Sequence, residues 1–168
     1  MIKKFNLLFL TFFNIGKIKI APGTIASLIT CFLFLFLLNI FGVIILFFFT
    51  IVIFCYSFVA INNSFDIFDS EDPQEIVVDE VVGQMLTLLA IPIYETLYLA
   101  PKEYYLIGAF ILFRLFDILK PFPINYVDNN TKGALGIMLD DVLAALYTII
   151  VLIVLFFFLG GWNYESSC

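Results

Sequence analysis

The sequence predicts an all-α membrane protein, a polytopic bundle of about five transmembrane helices, and three observations carry that expectation. Hydrophobic residues make up 63% of the 168 and charged residues only 13%, at a mean hydropathy of +1.11, well beyond the roughly 45–50% apolar content of soluble domains. The apolar runs approach the ~20 residues that a helix needs to cross a bilayer. The polar residues fall in a few clusters between those runs. With no polar linker and no internal repeat, residues 1–168 are expected to form a single membrane-embedded domain.

Composition also prunes the chemistry. A net charge of −6 and a pI of 4.4 leave no basic stripe to neutralise a nucleic-acid backbone, so no nucleic acid is expected as a partner. Cys31, Cys55 and Cys168 are scattered singly, without the paired spacing of a zinc or redox motif, and read as small buried hydrophobes. Histidine is absent, which removes His as nucleophile, general base or metal ligand. Carboxylates, hydroxyls, Lys, Arg and the backbone remain.

In chain order, Met1 to Phe13 carries two lysines before a short apolar run with no cleavage site after it, and reads as an interfacial anchor. In Asn14 to Ser27, Pro22 and Gly23 mark a turn, Thr24 or Ser27 can cap the helix that follows, and a helix N-terminus beside a lysine is a plausible phosphate seat. Ala26 to Ile40 and Val43 to Ile61 read as a helical hairpin around Gly42. Asn62 to Asp72, with Asp66, Asp69, Glu71 and Asp72, is a solvated acidic connection.

Pro73 to Gly83 returns to helix and carries the adjacent pair Asp79 and Glu80, whose side chains diverge by about 100°. Met85 to Ala100 and Tyr104 to Leu119 form a second hairpin around Pro101, Lys102 and Glu103. Its second arm sets Arg114, Asp117 and Lys120 along one face, among phenylalanines and aliphatics, before Pro121 ends the helix. Charges inside such a helix are costly unless they face a wet cavity or the interface, so they point to function. A purely structural reading pairs Arg114 with Asp117 and lets Lys120 snorkel to the headgroups. Asn125 to Asp141 is the last polar connection, and Val142 to Leu159 the last span. Asp140 and Asp141 then sit at a helix start, where the dipole favours a carboxylate.

Five crossings from a cytoplasmic N-terminus place three loops on one side, with seven of the eight basic residues: Lys3, Lys4, Lys17, Lys19, Arg114, Lys120 and Lys132. The positive-inside rule makes that side cytoplasmic, and every polar cluster converges there.

Four stretches, APGTIAS, DPQEIVVDEVVG, FRLFDILKPFPI and ALGIMLDD, taken together resemble the phosphatidylglycerophosphatase A family in order, spacing and residue type, over roughly Gly16 to Leu143. The resemblance implies an enzyme of the bacterial-type inner membrane. Such an enzyme uses magnesium to remove the terminal phosphate of phosphatidylglycerophosphate and leaves phosphatidylglycerol. The residues carried over are Pro22, Gly23, Thr24 and Ser27, then Asp72, Asp79, Glu80 and Gly83, then Arg114, Asp117, Lys120 and Pro121, and finally Gly136, Asp140 and Asp141. The chain departs from the family at Asn14 and Lys19, where glycine and proline are usual, and at Ala26, where glycine is. These departures bear on the first loop.

On this reading Asp79, Glu80, Asp140 and Asp141 hold Mg2+, a hard cation that takes oxygen ligands. Asp117 completes the set or holds Arg114, while Arg114, Lys120, Thr24 and Ser27 bind phosphate. Rival phosphatase designs fail: there is no histidine, Gly108 stands where a Cys-x5-Arg motif ending at Arg114 needs cysteine, and no Asp-x-Asp pair occurs. The alternative from another class is a small channel or cation-coupled carrier with a carboxylate-lined site, and a third is a non-catalytic assembly subunit.

Overall fold

A computed structural model describes residues 2–64, 67, 68, 73–98 and 102–165, and the regular structure among them is helical. Asp66, Asp69, Glu71, Asp72, Pro101 and Cys168 lie outside the described residues. The first helix, α1 (Ile2–Leu10), is more than an interfacial anchor. Asn6 and Leu10 are buried, the Tyr56 hydroxyl donates to Asn6 Oδ1 at 2.8 Å, and the Leu10 carbonyl accepts the Val77 N–H at 3.0 Å. A single 3-10 turn, Ile15–Lys17, follows.

The second helix, α2 (Pro22–Ser64), starts on its proline, where the missing N–H would be unpaired anyway. Thr24 and Ser27 therefore lie inside the first two turns and do not cap it, contrary to expectation. Its 43 residues would span about 65 Å as one rod, twice the ~30 Å hydrocarbon layer. Gly42, at φ 74° and ψ 168°, breaks it into two arms, a backbone conformation that a side chain would strain. Phe34 from the first arm and Leu46 from the second share one buried cluster, so the first expected hairpin is present.

The second hairpin differs. In place of one arm from Met85 to Ala100, the chain forms α3 (Val78–Leu88) and α4 (Ile91–Tyr98), interrupted at Leu89 and Ala90. Pro92 explains the break: it has no N–H to donate back and disfavours helix in the residue before it. Most of α3 is buried, and it packs extensively on α2 and on the last helix. The arm α5 (Lys102–Leu119) ends where expected, and Lys120 takes a left-handed turn at φ 43°.

The expected polar connection from Asn125 to Asp141 is largely helical. It contains α6 (Ile124–Asn130), and α7 (Gly133–Glu165) begins eight residues before Asp141. An apolar stripe of Ala134, Ile137 and Met138, all buried, has the i, i+3, i+4 spacing of a packed helix face. The aspartate pair is therefore more than a turn inside α7, and the helix-dipole account of it does not apply, since that effect is confined to the first turn.

Among the described residues two helices, α2 and α7, are long and apolar enough to cross a membrane. Ile44 is 70% exposed, Phe48 62% and Phe157 68%, exposed apolar side chains of the kind that face lipid. The 18-residue α5 carries Lys102, Glu103, Arg114 and Asp117 and is less apolar. Cys31 is buried as expected, whereas Cys55 is exposed.

Candidate functional site

A polar cavity of about 430 Å³ opens where α2, α3, α5 and α7 meet, lined by Gly23, Thr24, Asp79, Glu80, Arg114, Asp117, Lys120, Asp140 and Asp141 among others. The convergence expected from sequence is thus realised by four helices far apart in the chain. Glycine makes it possible at two points. A Cβ on Gly23 would lie 1.9 Å from Glu80 Oε1 and 3.3 Å from Arg114 Nη1, and one on Gly83 would lie 2.7 Å from the Phe113 ring and 3.1 Å from the Asp141 carbonyl oxygen. Each side chain would occupy space that the cavity wall already uses.

Asp79, Glu80 and Asp141 each place a carboxylate oxygen within 4.8 Å of the other two. Asp79 Oδ1, Glu80 Oε2 and Asp141 Oδ1 are buried without a hydrogen-bond partner. Orphaned buried acceptors are costly, and three anionic ones together point to a cation that they share. The donor set is all oxygen, which suits magnesium better than a soft metal. Asp79 and Glu80 open α3 outside the membrane-length helices. Burial is the main cause raising the Asp79 pKa well above its usual range, and neighbouring Glu80 and Asp141 add to it. Burial likewise raises Glu80, while a hydrogen bond with Asp79 and the charge of Arg114 pull it back down. Such groups resist ionising together until positive charge joins them.

Asp140 sits apart from that trio. Its Oδ2 accepts from Lys120 Nζ at 2.8 Å and its Oδ1 accepts the Asp141 N–H at 3.0 Å. Lys120 also donates to Asp128. Burial alone would lower the lysine pKa, but the hydrogen bonds and charges of Asp128 and Asp140 outweigh it and hold the ammonium ion fully protonated. Lys120 is therefore not a simple headgroup anchor. Asp128 was not foreseen: the turn through Pro121 to Pro123 and the unexpected α6 bring it back, and no local spacing signals that.

Arg114 Nη1 lies 2.6 Å from Asp117 Oδ2 and 3.8 Å from Glu80 Oε1, so the pairing allowed by the purely structural reading exists. The guanidinium nevertheless lines the cavity and keeps Nε and Nη1 without an aligned hydrogen-bond acceptor. Thr24 reaches the cavity wall. Ser27 is fully buried, its hydroxyl oxygen unpartnered, and is not among the residues lining the cavity. Lys19, which was not among the expected site residues, lines it as well.

A sequence profile of phosphatidylglycerophosphatase A matches residues 8–156. A phosphatidylglycerophosphatase A of Haemophilus influenzae is 41% identical over 139 residues, 83% of this chain and 81% of the relative. A Bacteroides thetaiotaomicron protein provisionally named as a phosphatidylinositol-3-phosphatase is 36% identical over 147 residues, 86% of this chain and 89% of its own. The Escherichia coli phosphatidylglycerophosphatase A is 38% identical over a shorter stretch of 73 residues, 44% of this chain and 38% of its own. No solved structure matches. The profile spans most of the residues that build the cavity and the helices that carry it, and the chain belongs to the phosphatidylglycerophosphatase A family of phosphatases.

Proposed function

We propose that the protein is a magnesium-dependent lipid phosphatase that hydrolyses the terminal monoester of phosphatidylglycerophosphate to phosphatidylglycerol and phosphate. The single domain would cross the inner membrane about five times, with its site at the cytoplasmic face. The observation that carries this reading is the meeting of three carboxylates and a guanidinium around one cavity in a chain with membrane-length apolar helices. That pairing of oxygen donors with a planar cation suits a phosphoryl dianion.

In the reaction, water supplies hydroxide to phosphorus, the bond from phosphorus to the glycerol oxygen breaks, and a proton passes to that oxygen. Bound to Asp79, Glu80 and Asp141, magnesium would neutralise charge on the phosphoryl oxygens and polarise the phosphorus centre. Arg114, oriented by Asp117, would hold two phosphoryl oxygens with its fork and stabilise the charge that builds in the transition state. Lys120, locked between Asp128 and Asp140, fixes the Asp140 carboxylate in the cavity wall, and Thr24 offers a hydroxyl donor.

The reading is tested by phosphate release from purified protein in mixed micelles, with and without Mg2+, against a panel of phosphatidylglycerophosphate, phosphatidylinositol 3-phosphate and phosphatidate. Rapid, Mg2+-dependent release from the first is expected; preference for the inositol lipid would move this chain to the Bacteroides relative's named substrate, and release from none would remove the phosphatase reading. Topology has its own check. A cysteine introduced at Asn129, exposed on α6, should react with an impermeant reagent only from the cytoplasmic side, and labelling from outside would invert the arrangement.

A further inference from the structure

We propose that the apolar groove beneath α1 seats one acyl chain of the lipid whose headgroup occupies the polar cavity, an inference that rests on the phosphatase reading above. The groove encloses about 500 Å³ between α1, both arms of α2 and the outer face of α3, with Phe9, Phe12, Leu33, Phe34, Val52 and Met85 in its wall. Leu33 is 44% exposed and Val52 62%, so its rim opens toward the bilayer.

Three observations select a hydrocarbon chain as the occupant. The two side-chain hydroxyls in the wall are already engaged: Thr30 Oγ1 donates to the Ala26 carbonyl and the Tyr56 hydroxyl to Asn6, each at 2.8 Å. Nothing polar is left in the wall to orient a headgroup or a peptide. The rest of the wall is phenylalanine, leucine, isoleucine, valine and methionine side chain, a lining that suits methylene groups and offers nothing to a partner that needs hydrogen bonds. An alkyl chain, about 4 Å wide by van der Waals contact, fits along it.

The third observation is register with the polar cavity. On α2, Gly23 lines the cavity and Thr30 the groove, seven residues apart, which is nearly two turns and about 10 Å along one helix face. On α3, Asp79 and Glu80 face the cavity while Val78 and Val81 face the groove. A phosphate held by Arg114 thus has its ester chain within reach of an apolar channel along the same helix. This also gives α1 a purpose: its Phe5 and Phe9, with Phe12 in the turn just after it, line the channel.

The test compares dioleoyl and dihexanoyl phosphatidylglycerophosphate as substrates of the full-length protein in one detergent with Mg2+. The double variant Leu33→Trp/Val52→Trp fills the groove from partly exposed positions, and Ile44→Trp, 70% exposed and away from the groove, is the control. KM for the dioleoyl lipid should rise about tenfold in the double variant, roughly what losing two buried methylene groups costs. Turnover of the dihexanoyl lipid and all activities of the control should stay at wild-type values. Equal KM changes for both chain lengths, no change for either, or an equal loss of kcat on both would overturn the groove assignment while leaving the phosphatase reading in place. A wild-type protein that hydrolyses neither lipid would sink the phosphatase reading, and the assignment of the chain to a substrate with it.

Discussion

Asp79→Asn should lower phosphate release from phosphatidylglycerophosphate by on the order of a thousandfold, comparable to losing a primary electrostatic element of an active site, while the protein stays folded. The side chain is one of three whose oxygens gather within 4.8 Å, and its Oδ1 has no other partner to hold it there. The amide keeps the shape and one carbonyl oxygen but loses the negative charge that a divalent cation requires. Folding should not suffer. Burial and two nearby acids disfavour ionised Asp79 when no cation offsets them, and removing one member of a crowded anionic cluster relieves repulsion. Gel-filtration profile and melting temperature in detergent, measured beside the rate, separate the two effects. A variant with near-normal turnover at saturating Mg2+ would remove Asp79 from the site.

Arg114→Lys, which keeps the charge, should still lose about a hundredfold in kcat, with a smaller change in KM, within the range seen for removing one transition-state donor. The guanidinium is held by Asp117 at 2.6 Å and stands 3.8 Å from Glu80, so it links the carboxylate cluster to the cavity. Lysine supplies a point charge in place of a planar fork. Its three donors radiate from one nitrogen, so it cannot hold Asp117 and also present two parallel N–H groups to a phosphoryl group. Because the loss is expected in the transition state, kcat should fall more than binding. Wild-type kcat in Arg114→Lys would show that Arg114 only neutralises Asp117 within α5, which is what an ordinary membrane-helix ion pair would do.

Much of the site was legible because the chain is so apolar. In a sequence with 13% charged residues, a carboxylate pair or a lone arginine stands out, and the fold gathers Asp79, Arg114 and Asp141 around one cavity. What could not be read were features decided by tertiary packing. The break at Leu89 and Ala90 is an exception, because Pro92 marks it in the sequence. The early start of α7 depends on Ala134, Ile137 and Met138 finding a buried partner face, although the intervening glycines and polar residues read locally as loop. Within the expected four-carboxylate set, Asp140 meets Lys120 while Asp141 gathers with Asp79 and Glu80, a division that no local spacing signals. Ser27 shows the same limit: a hydroxyl at the expected cap position is buried once the helix begins on Pro22.

Asp79, Glu80 and Asp141 are proposed to share a divalent cation. Manganese is a spectroscopic stand-in for magnesium at octahedral oxygen sites, and its binding to the purified protein can be followed by electron paramagnetic resonance. Saturable binding that Mg2+ competes away, present in the wild type and lost in Asp79→Asn, is the result expected. Unchanged Mn2+ binding in Asp79→Asn, or full phosphatase activity of the wild type in excess chelator, would contradict it.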